Sequence, residues 1–299
     1  MGCDGAARGA ISIGGDMSVL LPLVLVLAVL AFLAYRGFAP KPGYMPPPPS
    51  VLRTDLWFGY FHTFDDQVAQ TSDHVNIIFE SGWFGAEATA LSIRVHGKQT
   101  ILCLSNECYD YAEGAMVARP DAYDRVTATF NKLASECVLS KVVALYPIDE
   151  PDVSGKSDAD ILSLCLMVRS AAAHFPALDG VKLAVIYANK GTLPGISGFE
   201  WVGLDDYPLR EGLLDSDEWS LMLSRLDADQ RVMLVPGGAD PFRQDPEAFR
   251  RYAHNNPKVI GILAYMWAQQ YPGELAGIGT NGMVDIYRAI GKELTKGQT

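Results

Sequence analysis

The sequence predicts an α/β fold, a (β/α)8 barrel over residues 53–299, preceded by an N-terminal transmembrane helix and a Pro-rich linker. Eight short apolar runs recur past residue 51, several of them apolar on consecutive positions, and amphipathic stretches separate most of them. A strand buried on both faces of a parallel sheet reads as such a continuous run, and eight of them with intervening helices fit a closed barrel. The alternative is an open doubly wound sheet. That fold usually carries a glycine-rich first turn when it binds dinucleotides, and no GxGxxG follows the first run.

Taken in order, residues 1–16 form a tail. The stretch "MSVLLPLVLVLAVLAFLAY" (17–35) then carries no charge. As a helix it would be roughly 28 Å long, enough to span a bilayer, and it lacks the polar face of a soluble core helix. A cleaved signal peptide fits less well, because only Arg8 precedes the run and "AFLAYRGFAP" is a poor small-x-small site. No cysteine follows the run as a lipobox needs, and Ala6 stands where a myristoylation pattern wants Ser or Thr. Residues 17–36 are therefore expected to be a single-pass anchor, with the barrel outside the cytoplasm. The linker, 37–52, contains "APKPGYMPPPPS", a stiff spacer that holds a domain off a membrane.

The strand candidates are "LWFGYFH" from 56, "HVNIIFES" from 74, "QTILCLSN" from 99, "KVVALYPI" from 141, "VKLAVIYA" from 181, "FEWVGLDDY" from 199, "RVMLVPGG" from 231 and "VIGILAYMW" from 259. Helices are expected over 120–138, where Pro120 and Asp121 suit a first turn, and over 157–175, where Ser157 suits a cap. The stretches 216–226, 245–255 and 281–294 follow the same logic.

Composition removes several function classes. A net charge of −11 and no basic cluster argue against nucleic-acid binding. Five cysteines show no CxxC and no Cys/His metal spacing. Cys103 and Cys108 could pair in an oxidising compartment or stay as buried thiols. No GxSxG, HExxH or P-loop occurs, so no cofactor and no metal are expected.

Chemistry in such a barrel sits where strands end. Those ends carry Tyr60 and His62; Glu80 and Trp83; Asn106 and Glu107; Asp149, Glu150 and Asp152; Tyr187 and Asn189; Asp205, Asp206 and Tyr207; and Tyr265, Trp267 and Gln269. Carboxylates with aromatic faces suit a sugar, the acids for proton transfer and hydroxyl binding, the rings for the apolar side of a pyranose. Acids at one strand end alone read as solvated loop charge. His62 is expected to contact substrate rather than act as a base.

On "YPIDEPD" at the fourth strand, "VGLDDYP" at the sixth and "ILAYMWAQ" at the eighth, the chain resembles the TIM-barrel glycoside hydrolase superfamily. The resemblance implies that Glu150 is the acid/base and Asp149 its neighbour. It also implies a nucleophilic glutamate at the seventh strand, where this chain reads Pro236-Gly237-Gly238-Ala239-Asp240. Either Asp206 or Asp205 then serves as the second carboxylate, or the chemistry resembles hexosaminidases with an adjacent Asp-Glu pair. In those enzymes the substrate's acetamido group attacks, Asp149 would orient it, Tyr207 or Tyr265 would hydrogen-bond it, and Trp267 would floor the subsite. The expected function is a membrane-anchored glycoside hydrolase acting on a surface or cell-envelope polysaccharide. A non-catalytic carbohydrate-binding barrel is the alternative, and a metal-dependent barrel hydrolase or lyase ranks last.

Overall fold

The computed structural model describes residues 53, 55–61, 63, 67–82, 84–112, 115–188, 191–205, 213–240, 243–267 and 276–296. The expected tail, anchor and linker lie outside the described residues. Among the described residues no helix is long and apolar enough to cross a membrane.

In chain order the strands are β1 (Trp57–Tyr60), β2 (Ile77–Glu80), β3 (Gln99–Cys103), β4 (Tyr109–Ala112), β5 (Ala115–Ala118), β6 (Val142–Tyr146), β7 (Lys182–Tyr187), β8 (Trp201–Leu204), β9 (Arg231–Leu234) and β10 (Val259–Ala264). Eight of them form one sheet ordered β1-β10-β9-β8-β7-β6-β3-β2, and its pairings among the described residues are parallel. The sheet's two ends meet at Asn76. Its backbone N–H donates to Phe58 O at 3.1 Å, its side chain accepts from Phe58 N–H at 2.7 Å, and its amide donates to Leu56 O at 3.0 Å. Gly59 permits this approach: a Cβ there would lie 2.3 Å from Ile77 O.

The eight expected strands are therefore present and curl into a barrel. Its interior is filled by Ile77, Ile101, Ala144, Ala184, Trp201, Met233 and Leu263, so it is a packed core and not a pore. Residues of opposite parity, including Phe58, Leu102, Leu145, Val185, Val202 and Leu234, point outward and pack with the helices in a second, larger cluster.

Helices α1 (Val68–Thr71), α2 (Gly85–His96), α3 (Ser105–Cys108), α4 (Ala122–Ser135), α5 (Asp158–Ala172), α6 (Asp217–Arg225), α7 (Pro246–Asn255) and α8 (Val284–Leu294) occupy the connections. Three starts expected from sequence have side-chain caps. Ser157 forms a capping box with Asp160, Ser216 accepts from Trp219 N–H, and Asp245 accepts from Glu247 N–H.

The barrel departs from eightfold regularity. Among the described residues, the connection from β7 to β8 holds only the 3-10 turn Ile196–Gly198, seated directly on α5, where a Cβ at Gly198 would lie 2.8 Å from Cys165 Sγ. The β1–β2 connection has one helical turn, and an antiparallel hairpin, β4–β5, follows β3.

Arg53 fixes the start of the domain. Its guanidinium donates to Asn256 O at 3.0 Å and Val259 O at 2.9 Å, at the N-terminal end of β10. This is the face opposite the strands' carboxyl ends.

Candidate active site

The carboxyl ends of the barrel strands enclose a cavity of about 470 Å³, within the range of small-molecule sites. Its lining comes from nearly every strand end, because the last inward-pointing residue of each strand and the loop beyond it face one mouth. Phe61 follows β1, Phe79 and Ser81 come from β2, Cys103 and Asn106 from β3, and Tyr146, Asp149 and Glu150 from β6. Ile186, Asp205 and Tyr265 complete it from β7, β8 and β10. The floor is aromatic: the Phe61 and Phe79 rings lie 4.4 Å apart, and Phe79 meets Tyr146 edge-on at 5.1 Å.

Asp149 is the best-defined acid. Tyr146, fully buried in the barrel interior, donates its hydroxyl to Asp149 Oδ1 at 2.6 Å. Protein atoms crowd Asp149 while its side chain still reaches the cavity. This burial raises its pKa above the usual aspartate value, the Tyr146 hydrogen bond pulls it down, and the Asp152 charge pushes it up again. A carboxyl with a raised pKa holds its proton longer, as a general acid must.

Glu150 also lines the cavity, and its backbone is left-handed, with φ 42°. Such a conformation costs a non-glycine residue energy, and strained residues cluster at functional sites. The loop is fastened from both sides. Glu150 O accepts from Val153 N–H at 3.0 Å, and Asp152 Oδ1 accepts from Ala188 N–H at 3.1 Å at the end of β7. The third acid of "DEPD" is thus a structural anchor. Cys103 lies in the wall, but burial pushes its thiol up to about 12, so it carries no thiolate at neutral pH. Cys103 and Cys108 are separate buried thiols.

Of the site residues expected from sequence, Asp149, Glu150, Asn106, Asp205 and Tyr265 meet at this cavity. His62, Trp83, Asn189, Asp206, Tyr207 and Gln269 lie outside the described residues. Five others do not line the cavity. Tyr60, Tyr187 and Trp267 belong to the outward cluster between sheet and helices. Tyr60 pairs with His74 Nε2 at 2.9 Å, Tyr187 donates to Pro194 O at 2.9 Å, and the Trp267 ring packs 4.8 Å from Tyr60. Side chains alternate along a strand, so Tyr187 must face away from the cavity once Ile186 lines it. Glu107 turns its carboxyl from the mouth toward α4, where Thr129 donates to it at 3.4 Å. Glu80 is absent from the lining; the Gly82 N–H donates to its Oε1 at 3.5 Å.

The fold recurs in known structures. The chain superposes on a GH2 β-galacturonidase from Eisenbergiella tayi bound to galacturonate, with TM-score 0.52 and 9% identity, covering 82% of this chain and 52% of that one. It superposes on a Ruminococcus gnavus β-glucuronidase in complex with uronic isofagomine, with TM-score 0.53 and 11% identity over 79% of this chain and 51% of that one. The fold is a TIM barrel shared with glycoside hydrolases. The chain spans about half the length of these neighbours. No family model and no curated protein matches the sequence.

Two tyrosines of the cavity escape a sequence reading. Tyr146 sits inside a uniformly apolar run and gives no signal. Tyr111 lies in "YDYAEGAMVA", whose period-two alternation about Glu113-Gly114 is the mark of a hairpin.

Proposed function

We propose that this chain is a glycoside hydrolase whose barrel-mouth cavity cleaves an O-glycosidic bond by carboxylate catalysis. One observation carries the reading: both adjacent carboxylates of the fourth barrel strand line the cavity that Asp205, from the sixth, also lines. The Asp149–Glu150 pair gives the proton to the leaving oxygen, and the Asp149 carboxyl is pushed up by its surroundings. Asp205 is the second carboxylate, attacking the anomeric carbon or activating water. The aromatic floor of Phe61, Phe79 and Tyr265 supports the sugar's apolar side.

A variant lacking the acid distinguishes these roles. Asp149→Asn should lose about 10²–10⁴-fold on glycosides with poor leaving groups, yet little on a dinitrophenyl glycoside, whose leaving group needs no proton. Asp205→Asn should lose activity on both. An Asp149→Asn enzyme as active as wild type on every substrate would end this assignment.

In the same reading, residues 17–36 anchor the protein and 37–52 space the barrel from the bilayer. Arg53 at the face opposite the cavity favours this, because the linker then joins the barrel away from the mouth. Reach of this kind suits a polysaccharide of the surface or envelope. Removal of 1–52 should shift the protein from the membrane fraction to the soluble one. A second reading, a binding barrel without turnover, is favoured by the lining itself, to which β9 contributes no residue among those described. A wild type that binds an oligosaccharide and never cleaves it decides for that reading.

A further inference from the structure

The hairpin β4–β5 brings one aromatic residue to the cavity that the catalytic reading leaves unused. Across it Tyr109 pairs with Ala118, Asp110 with Val117 and Tyr111 with Met116. Alternation therefore divides its side chains between two faces. Asp110 and Val117 face solvent, whereas Tyr109 and Met116 turn toward the barrel and join its outer core. Tyr111 shares their face but stands one pair further out, so it overhangs the cavity and lines it beside Asp149 and Glu150.

The Tyr111 ring stands open to solvent on a fastened hairpin. The residue as a whole is 59% exposed, an unusual state for a tyrosine in a cavity wall. Partial burial of the side chain, with the nearby charges of Asp149 and Glu150, disfavours ionisation of its hydroxyl. The frame behind it is fastened. Arg119 Nε donates to Asn106 O at 3.0 Å and Tyr109 O at 3.1 Å, and its guanidinium also pairs with Asp110. From the loop after Glu150, Lys156 Nζ donates to Met116 O at 2.6 Å and lies 5.2 Å above the Tyr109 ring. The hairpin is thus tied both to the end of β3 and to the loop carrying the acids.

An exposed aromatic face held rigid beside reacting carboxylates is pre-organised to stack on the apolar C–H face of a pyranose, since little freedom remains to be lost on binding. We propose that Tyr111 is the platform of a second sugar subsite, adjoining the unit held at Asp149 and Glu150, so that the substrate is a chain of at least two pyranose units. This rests on the glycosidase reading.

The test is calorimetric binding to the full chain, in an Asp149→Asn background that stops turnover. The probes are cellotetraose, N-acetylchitotetraose and tetragalacturonate, each with its monosaccharide. For the tetrasaccharide that binds, adding Tyr111→Ala should weaken affinity about five- to tenfold while leaving the monosaccharide within about twofold. Tyr111→Phe, which keeps the ring, should bind within about twofold of its parent; it also carries the test if the alanine variant melts early. Equal tetrasaccharide affinity with and without the ring overturns the platform alone. Equal losses on tetrasaccharide and monosaccharide overturn the separate subsite. Binding of no probe overturns the platform together with the glycosidase reading.

Discussion

Removing the hydroxyl of Tyr146 should change the chemistry of Asp149 without changing the barrel. Tyr146→Phe keeps the buried ring and its edge contact with Phe79 and deletes one hydrogen bond, 2.6 Å long, to Asp149 Oδ1. A hydrogen bond to an ionised carboxylate contributes about 1.5–3 kcal/mol. The lower figure applies, because Asp149 faces the cavity and water there replaces part of the donation. About 1.4 kcal/mol corresponds to one pKa unit, so the Asp149 carboxyl should rise by about one unit. The sign follows from which form the bond favours. Tyr146 donates to the charged form, so its loss raises a pKa that burial has already raised. The direct assay is the carboxyl carbon resonance of Asp149 followed against pH, which needs no substrate. In turnover, the alkaline limb of kcat/KM, which reports loss of the acid's proton, should move up by the same amount. An unchanged Asp149 titration in Tyr146→Phe would refute the assignment of Tyr146 as the residue that holds this carboxyl down.

Three further outcomes follow from the same structure. Asp149→Asn should raise the melting temperature at neutral pH, and the gain should vanish in acid. The native carboxyl has a raised pKa, so its contribution to stability is full below the ordinary aspartate range and is lost as pH climbs through the native value; calorimetry at several pH values reads this. Glu150→Gly should also melt higher, by about 1–3 °C, because glycine adopts φ 42° without strain, although its flexible unfolded chain offsets part of the gain. Its activity should fall with the lost carboxylate. Asn76→Ala should cost about 2–4 kcal/mol in denaturant unfolding, since it removes the acceptor that Phe58 N–H uses and the amide that bonds Leu56 O where the barrel closes.

Much of the fold was legible because parallel barrel strands are buried on both faces and announce themselves as apolar runs. The same property hides their orientation. In "VKLAVIYA" nothing polar alternates with the apolar residues, so the run does not say whether Ile186 or Tyr187 looks inward. The ladder decides it, and Ile186 meets the cavity while Tyr187 meets Pro194. Tyr60 was misplaced in the same way. Trp267, beyond the end of β10, likewise packs against Tyr60 instead of the cavity. The Asp149–Glu150 pair was easier to place, because a charged pair straight after a buried strand has little choice but the mouth. Helix α2 gives no clear signal in the sequence because its outward face carries Leu91 and Val95, both exposed, and so lacks amphipathic contrast. Among the described residues a short turn replaces the helix between β7 and β8, and only its contact with Cys165 shows why.

The reacting role of the barrel mouth is tested most directly by reducing-end release from a panel of surface and envelope polysaccharides. The full chain would be compared with Asp149→Asn, Glu150→Gln and Asp205→Asn, each checked for an unchanged fold. Wild type should release sugar from at least one polymer, and each variant should lose about 100-fold or more. Release by all three variants at the wild-type rate, or wild-type binding with no release from any polymer, would contradict it.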